Sequence, residues 1–308
     1  MDIFLQQIIN GLTLGSVYAI VALGYTMVYG IIQLINFAHG EIVMVGAMVA
    51  FTVIGWLAAN TPLPPLLIVL IGTAAAIPAC TAIGYALELF AYRPLRKAPR
   101  LAPLITAIGA SIVLQQVAMM IWSRNPLAFP QIIPNMVFPV AGATITLIQI
   151  AIIMTSVVLM IALTAIVYRT KLGVAMRATS QNAPIAGLMG VNVNHVIAAT
   201  FMIGAALAAV AGVMVGTYYG IAHYTMGSLL GLKAFCAAVL GGIGNLAGAM
   251  LGGMLLGIVE ALAAGYMGDL TNNVFGSNYQ DVFAFMVLIA VLVFRPSGLL
   301  GERIGERA

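Results

Sequence analysis

The sequence predicts an all-α polytopic membrane protein, and three observations carry that reading. First, of its 308 residues 63% are hydrophobic and only 6% charged, whereas an ordinary soluble domain carries about a quarter charged residues. A chain this poor in charge cannot clothe a water-facing surface. Second, the apolar residues fall into long runs, many of them near the roughly 20 residues needed to cross a bilayer core as a helix. Third, nearly all the Lys and Arg residues sit between those runs and not within them.

The apolar segments lie at about 8–30, 41–59, 65–90, 101–122, 145–168, 196–219, 226–240, 245–265 and 281–294. About nine spans are therefore expected, with a range of about eight to ten because several segments are short or Gly-broken. The start of the chain, Met1 to Gln7, has no basic n-region and no small-residue cleavage site, so it does not read as a removable signal peptide. Arg93, Arg96, Lys97 and Arg100 separate the third and fourth segments. Arg169, Lys171 and Arg177 follow the fifth, and Arg295, Arg303 and Arg307 follow the last. The positive-inside bias makes these three regions cytoplasmic, which places the N-terminus outside and the C-terminus inside. Trp56 and Trp122 then close spans on the outer face, as interfacial anchors do.

Small residues recur every fourth position at Gly72, Ala76, Cys80, Gly84, at Gly204, Ala208, Gly212, Gly216, and at Gly244, Gly248, Gly252. Such faces let helix backbones approach closely in lipid, where hydrophobicity cannot drive association. Cys80 and Cys236 lie in apolar runs and read as small packing residues. The charge of +4 reports orientation in the membrane; no nucleic-acid partner is expected.

Two Gly-containing breaks interrupt the spans, one from Ile35 to Glu41 and one from Leu240 to Gly248. Both contain Asn, a bulky apolar residue, Ala and Gly before a fresh helix, and Asn36 and Asn245 are expected to cap those helices. Paired breaks of this kind point to an internal inverted repeat and to the transport pathway. His39 and Glu41 follow the first break. Glu41 suits a helix N-terminus, and a gating role is the alternative; metal ligation is not expected, with no further His or Cys near in sequence. Glu88 lies about one turn before Arg93 and is expected to pair with it. Glu260 has no cation close in sequence, which makes it a pathway candidate. Lys233 either snorkels outward or meets a substrate carboxylate.

The polar loop from Arg169 to His195 carries three Lys/Arg residues and no acidic ones. Asn182 or Ala183 can cap a two-turn helix with Pro184 in its first turn, and Gly190 is a suitable stop. Ile185, Leu188 and Met189 would then project from a short helix shaped to dock into a groove on a cytoplasmic partner.

Several stretches resemble one family. They are Gly24-Tyr25-Thr26-Met27-Val28-Tyr29-Gly30 with Ile35-Asn36-Phe37-Ala38-His39-Gly40-Glu41, then Ala91-Tyr92-Arg93-Pro94-Leu95-Arg96, Phe201-Met202-Ile203-Gly204-Ala205-Ala206, Gly231-Leu232-Lys233-Ala234-Phe235 leading into Ala238-Val239-Leu240-Gly241-Gly242-Ile243-Gly244, and Arg295-Pro296-Ser297-Gly298-Leu299-Leu300-Gly301. Along essentially its whole length the chain is similar to bacterial inner-membrane permeases of ABC importers for branched-chain amino acids, specifically the shorter permease of the high-affinity leucine/isoleucine/valine system. The resemblance implies that residues 1–308 form one transmembrane permease domain of the ABC importer permease fold. It implies that residues 169–195 hold the coupling helix that contacts an ATPase, with Arg177, Asn182, Ala186 and Gly190 matching the family's loop. The loop lacks the glutamate of the Glu-Ala-Ala-xxx-Gly form found in many other importer permeases. Implied partners are a second, homologous permease, two cytoplasmic ATPase subunits and a periplasmic amino-acid-binding protein.

No Gly-x-x-x-x-Gly-Lys-Ser/Thr phosphate loop is present, so ATP hydrolysis is assigned to the partner subunits; no cofactor or metal is expected in this chain. The remaining alternatives are a sister permease for urea or short amides, which shares the Asn-x-Ala-His-Gly-Glu break, and an ion-coupled secondary transporter, for which Glu260 is a lone acidic candidate. An intramembrane enzyme would need a His/Asp/Glu/Ser constellation that three scattered histidines do not supply.

Overall fold

The computed structural model describes residues 2–96, 98–99, 101–140, 142–270 and 279–301; Lys97, Arg100, Arg303 and Arg307 lie outside the described residues. Helices dominate: α1 (Asp2–Ile32), α2 (His39–Asn60), α3 (Pro65–Ala86), α4 (Leu101–Ile121), α5 (Leu147–Arg169), α6 (Lys171–Gln181), α7 (Ala183–Leu188), α8 (Val193–Tyr219), α9 (Met226–Gly241), α10 (Leu246–Leu270) and α11 (Gln280–Phe294). Helix α3 continues as a π-helical turn, Leu87–Tyr92. Four short strands, β1 (Leu127–Ala128), β2 (Val137–Val140), β3 (Ala143–Thr146) and β4 (Ile221–Ala222), pair as β1–β4 and β2–β3.

Among the described residues, seven helices are long and apolar enough to cross a membrane: α1, α2, α3 with its π turn, α4, α5, α8 and α10. The other two expected segments are helical but short, α9 with 16 residues and α11 with 15. At 1.5 Å per residue they rise roughly 24 and 22 Å, short of a hydrocarbon core of about 30 Å. Hydropathy alone registers such segments without revealing that they start part-way through the bundle.

Helix directions follow from the close approaches at glycine. A Cβ added at Gly15 would meet Met254, and one at Gly253 would meet Ala19, so α1 and α10 run antiparallel. His39 lies beside Gly24 and Gly204, and Gly46 beside Ala209, so α2 runs with α8. Helices α1 and α8 are the most enclosed, and α3, α4 and α5 form the outer wall. Gly72, Ala76, Cys80 and Gly84 make up most of the buried face of α3. Gly204, Gly212 and Gly216 are likewise buried in α8. In the third small-residue run Gly248 and Gly252 pack against α9, while Gly244 has open space at its Cβ position.

The two breaks predicted from sequence differ in geometry. At the first, Gln33 adopts φ +53° and the chain doubles back into the bundle. Helix α2 therefore begins against Gly24, some eight residues or about 12 Å in from the end of α1. The second break is a tight connection between antiparallel α9 and α10, with Gly242 at φ +104° and Gly244 at φ +100°, a backbone that favours glycine. A different segment resembles the first break. After α8, Gly220 takes φ +69° and residues 220–225 turn inward, so that α9 begins with Gly227 and Gly231 against Gly40. Two helix N-termini thus meet inside the protein.

Candidate functional site

One end of the bundle gathers Arg93, Arg96, Arg169, Lys171, Arg177 and Arg295. There Thr170 caps α6, accepting from the Gly173 N–H at 3.1 Å, and α6 folds back on α5 so closely that Gly173 has no room for a Cβ. Where the polarity of the sequence predicts loop, the stretch holds an amphipathic helix of 11 residues. Asn182 then caps α7, accepting from the Ile185 N–H at 3.0 Å, with Pro184 in the first turn. Gly190 ends the unit at φ +87°. Ala186 is buried, whereas Ile185, Leu188 and Met189 are 56%, 87% and 80% exposed. Arg177 is turned inward: its Nη1 donates to the Val167 carbonyl and its guanidinium lies over the Tyr168 ring at 5.3 Å.

At the same end, Glu88 on the π turn is fully buried and paired with Arg93 at 2.7 Å and with Arg96. Arg96 also donates to Asn194 Oδ1 at 2.6 Å, tying the π turn to the first turn of α8. The hydrogen bond to Glu88 raises Arg93 above the usual guanidinium value, and burial lowers Arg96; both stay charged at neutral pH.

The inward break holds the next group. Asn36 does not cap α2; Ala38 takes that position without a side-chain cap. Instead the Tyr92 hydroxyl donates to Asn36 Oδ1 at 2.9 Å. Asn36 lies three residues before the helix, and the doubled-back chain directs it to the π turn. Asn245, by contrast, caps α10 through the Gly248 N–H at 3.2 Å and donates to the Leu300 carbonyl at 2.9 Å. His39 is buried beside Gly24, edge-on to Tyr25 with ring centroids 4.8 Å apart, and its Nε2 has no partner. Glu41 Oε1 accepts from Gln115 Nε2 at 2.7 Å and Ser111 Oγ at 3.2 Å on α4, while Oε2 is buried without a partner.

Lys233 and Glu260, singled out separately from sequence, form one cluster. Lys233 Nζ lies 2.7 Å from Glu260 Oε1 and 2.6 Å from Asp281 Oδ1. Tyr18 OH donates to Glu260 Oε2 at 2.9 Å. The cluster joins α1, α9, α10 and α11. Lys233 does not snorkel outward: it is buried and its ammonium is engaged by two carboxylates. Glu260 has its cation 27 residues earlier, a partner that no inspection of its own helix reveals. Tyr18, Asp281, Ser111, Gln115 and Tyr92 were missed from sequence. A charge opening a short apolar helix was the available signal for Asp281; a polar i, i+4 pair on an otherwise apolar span was the signal for Ser111 and Gln115.

Residues 7–292 match the family model described as branched-chain amino acid transport system / permease component. The chain is 49% identical over 303 residues to the high-affinity branched-chain amino acid transport system permease protein BraD of Pseudomonas aeruginosa, covering 97% of this chain and 96% of that one. It is 45% identical over 304 residues to the permease protein LivH of the corresponding high-affinity system in Escherichia coli K12, with 97% and 96% covered. It is 27% identical over 306 residues to a probable branched-chain amino acid transport permease protein LivH of Methanocaldococcus jannaschii, with 97% and 94% covered. No solved structure matches. With seven membrane-length helices among its described residues, inward breaks and buried charge, and matched over nearly its whole length, the chain belongs to the family of branched-chain amino acid transport system permeases.

Proposed function

We propose that this chain is the transmembrane permease subunit of an ATP-driven importer that moves leucine-, isoleucine- or valine-type amino acids across a bacterial inner membrane by alternating access. The observation that carries the coupling part of this reading is α7, a capped short helix with Ile185, Leu188 and Met189 exposed at the Arg-rich end. Apolar tips at a cytoplasmic surface are a liability unless a partner covers them. An ATPase subunit is that partner, with Asn182, Ala186 and Gly190 shaping the helix and Arg177 fastening α6 to α5. The Arg-rich end is cytoplasmic, the N-terminus is periplasmic, and residues 1–308 act as one permease domain with 169–195 as its coupling loop. A second, homologous permease, two ATPases and a periplasmic amino-acid-binding protein complete the assembly.

The opposed runs of α1–α2 and α8–α9 support an inverted repeat in about nine passes, two of them short because they begin inside. In this reading Asn36, His39 and Glu41 line the gate on one side of the crossing, Lys233 and Glu260 hold the other, and Asn245 fixes the α9–α10 connection. The test is uptake of labelled leucine into proteoliposomes holding the purified assembly, with binding protein outside the membrane face expected to receive it. ATP-dependent uptake is expected; uptake that follows a proton gradient and ignores ATP would sink the proposal.

A further inference from the structure

Arg295 differs from Arg93, Arg96 and Arg177 at the same end of the bundle. Those three each hold a carboxylate or a carbonyl of the protein. Among the described residues the Arg295 side chain has no such partner, and it is exposed. It follows α11, whose 15 residues rise roughly 22 Å against a hydrocarbon core of about 30 Å. The other end of that helix is fixed, because Asp281 is held by Lys233 at 2.6 Å. A helix this short leaves one end beneath the headgroup plane. Asp281 has its countercharge there; Arg295 has none, and such a cation draws lipid phosphate toward itself. Beside it lies an open groove of about 260 Å³, lined by Ala290, Val291, Phe294, Arg295 and Leu299. The chain turns at Gly298, φ +77°, and returns across the end of α9, where the Leu299 and Leu300 N–H groups donate to the Leu240 and Gly241 carbonyls at 2.9 Å. The furrow between Leu299 and the last turn of α11 stays open, with Phe294 85% exposed. Apart from the guanidinium its lining is apolar, which suits an occupant with an anionic head and an aliphatic body.

We infer that this groove holds one anionic phospholipid from the leaflet at the Arg-rich end. The planar guanidinium fork receives two oxygens of the phosphate. One acyl chain lies along Ala290, Val291 and Leu299 against the Phe294 ring. At roughly 10–15 Å³ for each water-sized group, the space takes roughly 17–26 such groups, the scale of a single acyl chain. A zwitterionic lipid carries its own ammonium beside the phosphate and gains less from Arg295. The bound lipid braces the turn that fastens α11 to the α9–α10 connection. This inference needs neither the importer reading nor a solute.

The full-length chain, purified in a mild non-ionic detergent, is titrated with phosphatidylglycerol or with phosphatidylcholine of the same acyl chains, and bound lipid is counted by native mass spectrometry. A saturable one-to-one complex with phosphatidylglycerol is expected, with phosphatidylcholine about tenfold weaker. Arg295→Gln is expected to weaken phosphatidylglycerol binding about tenfold, and Arg295→Lys, which keeps the charge but loses the fork, about threefold. Ala290→Phe fills the groove from an exposed position and leaves the arginine in place; it too is expected to weaken binding about tenfold. Arg124→Gln, beyond the far end of α4, is expected to leave binding unchanged. Elution of each variant at the wild-type volume on size exclusion shows that it folded. The proposal is overturned if phosphatidylcholine binds equally well, if Arg295→Gln or Ala290→Phe leaves phosphatidylglycerol binding intact, or if Arg124→Gln weakens it as much. It is also overturned if a chain ending at Gly301 binds lipid about tenfold more tightly, because residues 302–308 would then be the occupant. Absence of the lipid from the purified assembly of permease and ATPase would overturn it too, because a protein subunit would then cover the groove.

Discussion

Gly40 on α2 and Gly227 on α9 meet backbone to backbone where two helices begin inside the bundle. A Cβ on Gly227 would stand 2.8 Å from Glu41 Oε2 and closer still to the Gly40 carbonyl, and one on Gly40 would stand 2.8 Å from the Gly231 Cα. The nearest obstacles on both sides are backbone atoms, which cannot swing aside as a flexible side chain can. Gly227→Ala and Gly40→Ala are each expected to lower stability by about 1–3 kcal/mol or more through overpacking. Thermal unfolding followed by fluorescence size exclusion checks this. A Gly109→Ala control, where nothing lies within reach, should be neutral or slightly stabilising, because alanine is the better helix former.

The Lys233 cluster makes a prediction about order of removal. Lys233→Met leaves the buried Glu260 and the partly exposed Asp281 without their shared cation; the uncompensated Glu260 alone is expected to cost about 3–5 kcal/mol. Neutralising the carboxylates as well, in Lys233→Met with Glu260→Gln and Asp281→Asn, should recover much of that loss, since well-packed neutral groups replace a buried ion set with little penalty. The measurement is the unfolding midpoint of the three chains side by side. A triple variant no more stable than the single one would show that the charges do not act as a set.

Much of this fold is legible in the sequence because lipid imposes simple rules. Length and hydropathy locate α1 to α5, α8 and α10, and four-residue spacing of small side chains identifies the faces of α3 and α8 that pack. What escapes is depth. A helix that begins midway through the bundle reads as an ordinary apolar segment, so the inward turn at residues 220–225 was not distinguished from a surface loop. Asn36 illustrates the same difficulty in the site. Its type and position suggest a cap, but the doubled-back chain delivers it to Tyr92, 56 residues away. Long-range ion partners such as Lys233 and Glu260 belong to this class: each residue is conspicuous alone, and only packing of α9 against α10 makes them a pair.

The Tyr92–Asn36 hydrogen bond ties the π turn after α3 to the segment that leads into α2. Arg96 ties the same turn to Asn194 at the start of α8. Tyr92→Phe removes the first tie alone and is expected to cost only about 0.6 kcal/mol of stability, the average for such bonds within a bilayer. Its effect on function should be larger. Uptake per ATP hydrolysed is expected to fall while expression stays near wild type, and Arg96→Gln combined with Tyr92→Phe should show less than additive loss if both ties serve one movement. Stoichiometry measured in proteoliposomes, with ATP and leucine counted together, decides it.

Helix α7 allows cap and contact to be separated. Asn182→Ala removes the acceptor for the Ile185 N–H and is expected to loosen the helix by about 1 kcal/mol. Leu188→Glu leaves the helix intact and alters only a side chain that is 87% exposed, so the isolated permease should be as stable as wild type. A glutamate facing an apolar groove must be desolvated on docking, at a cost of several kcal/mol unless it is paired. Leu188→Glu should therefore weaken ATPase association at least a hundredfold, whereas Asn182→Ser, which preserves the cap, should leave it nearly unchanged. Pull-down of the ATPase by tagged permease, with basal and binding-protein-stimulated ATP hydrolysis measured on the same preparations, distinguishes the two. If Leu188→Glu retained full ATPase binding and stimulation, the apolar tip of α7 would face lipid or a different subunit, and the coupling role proposed for α7 would be lost.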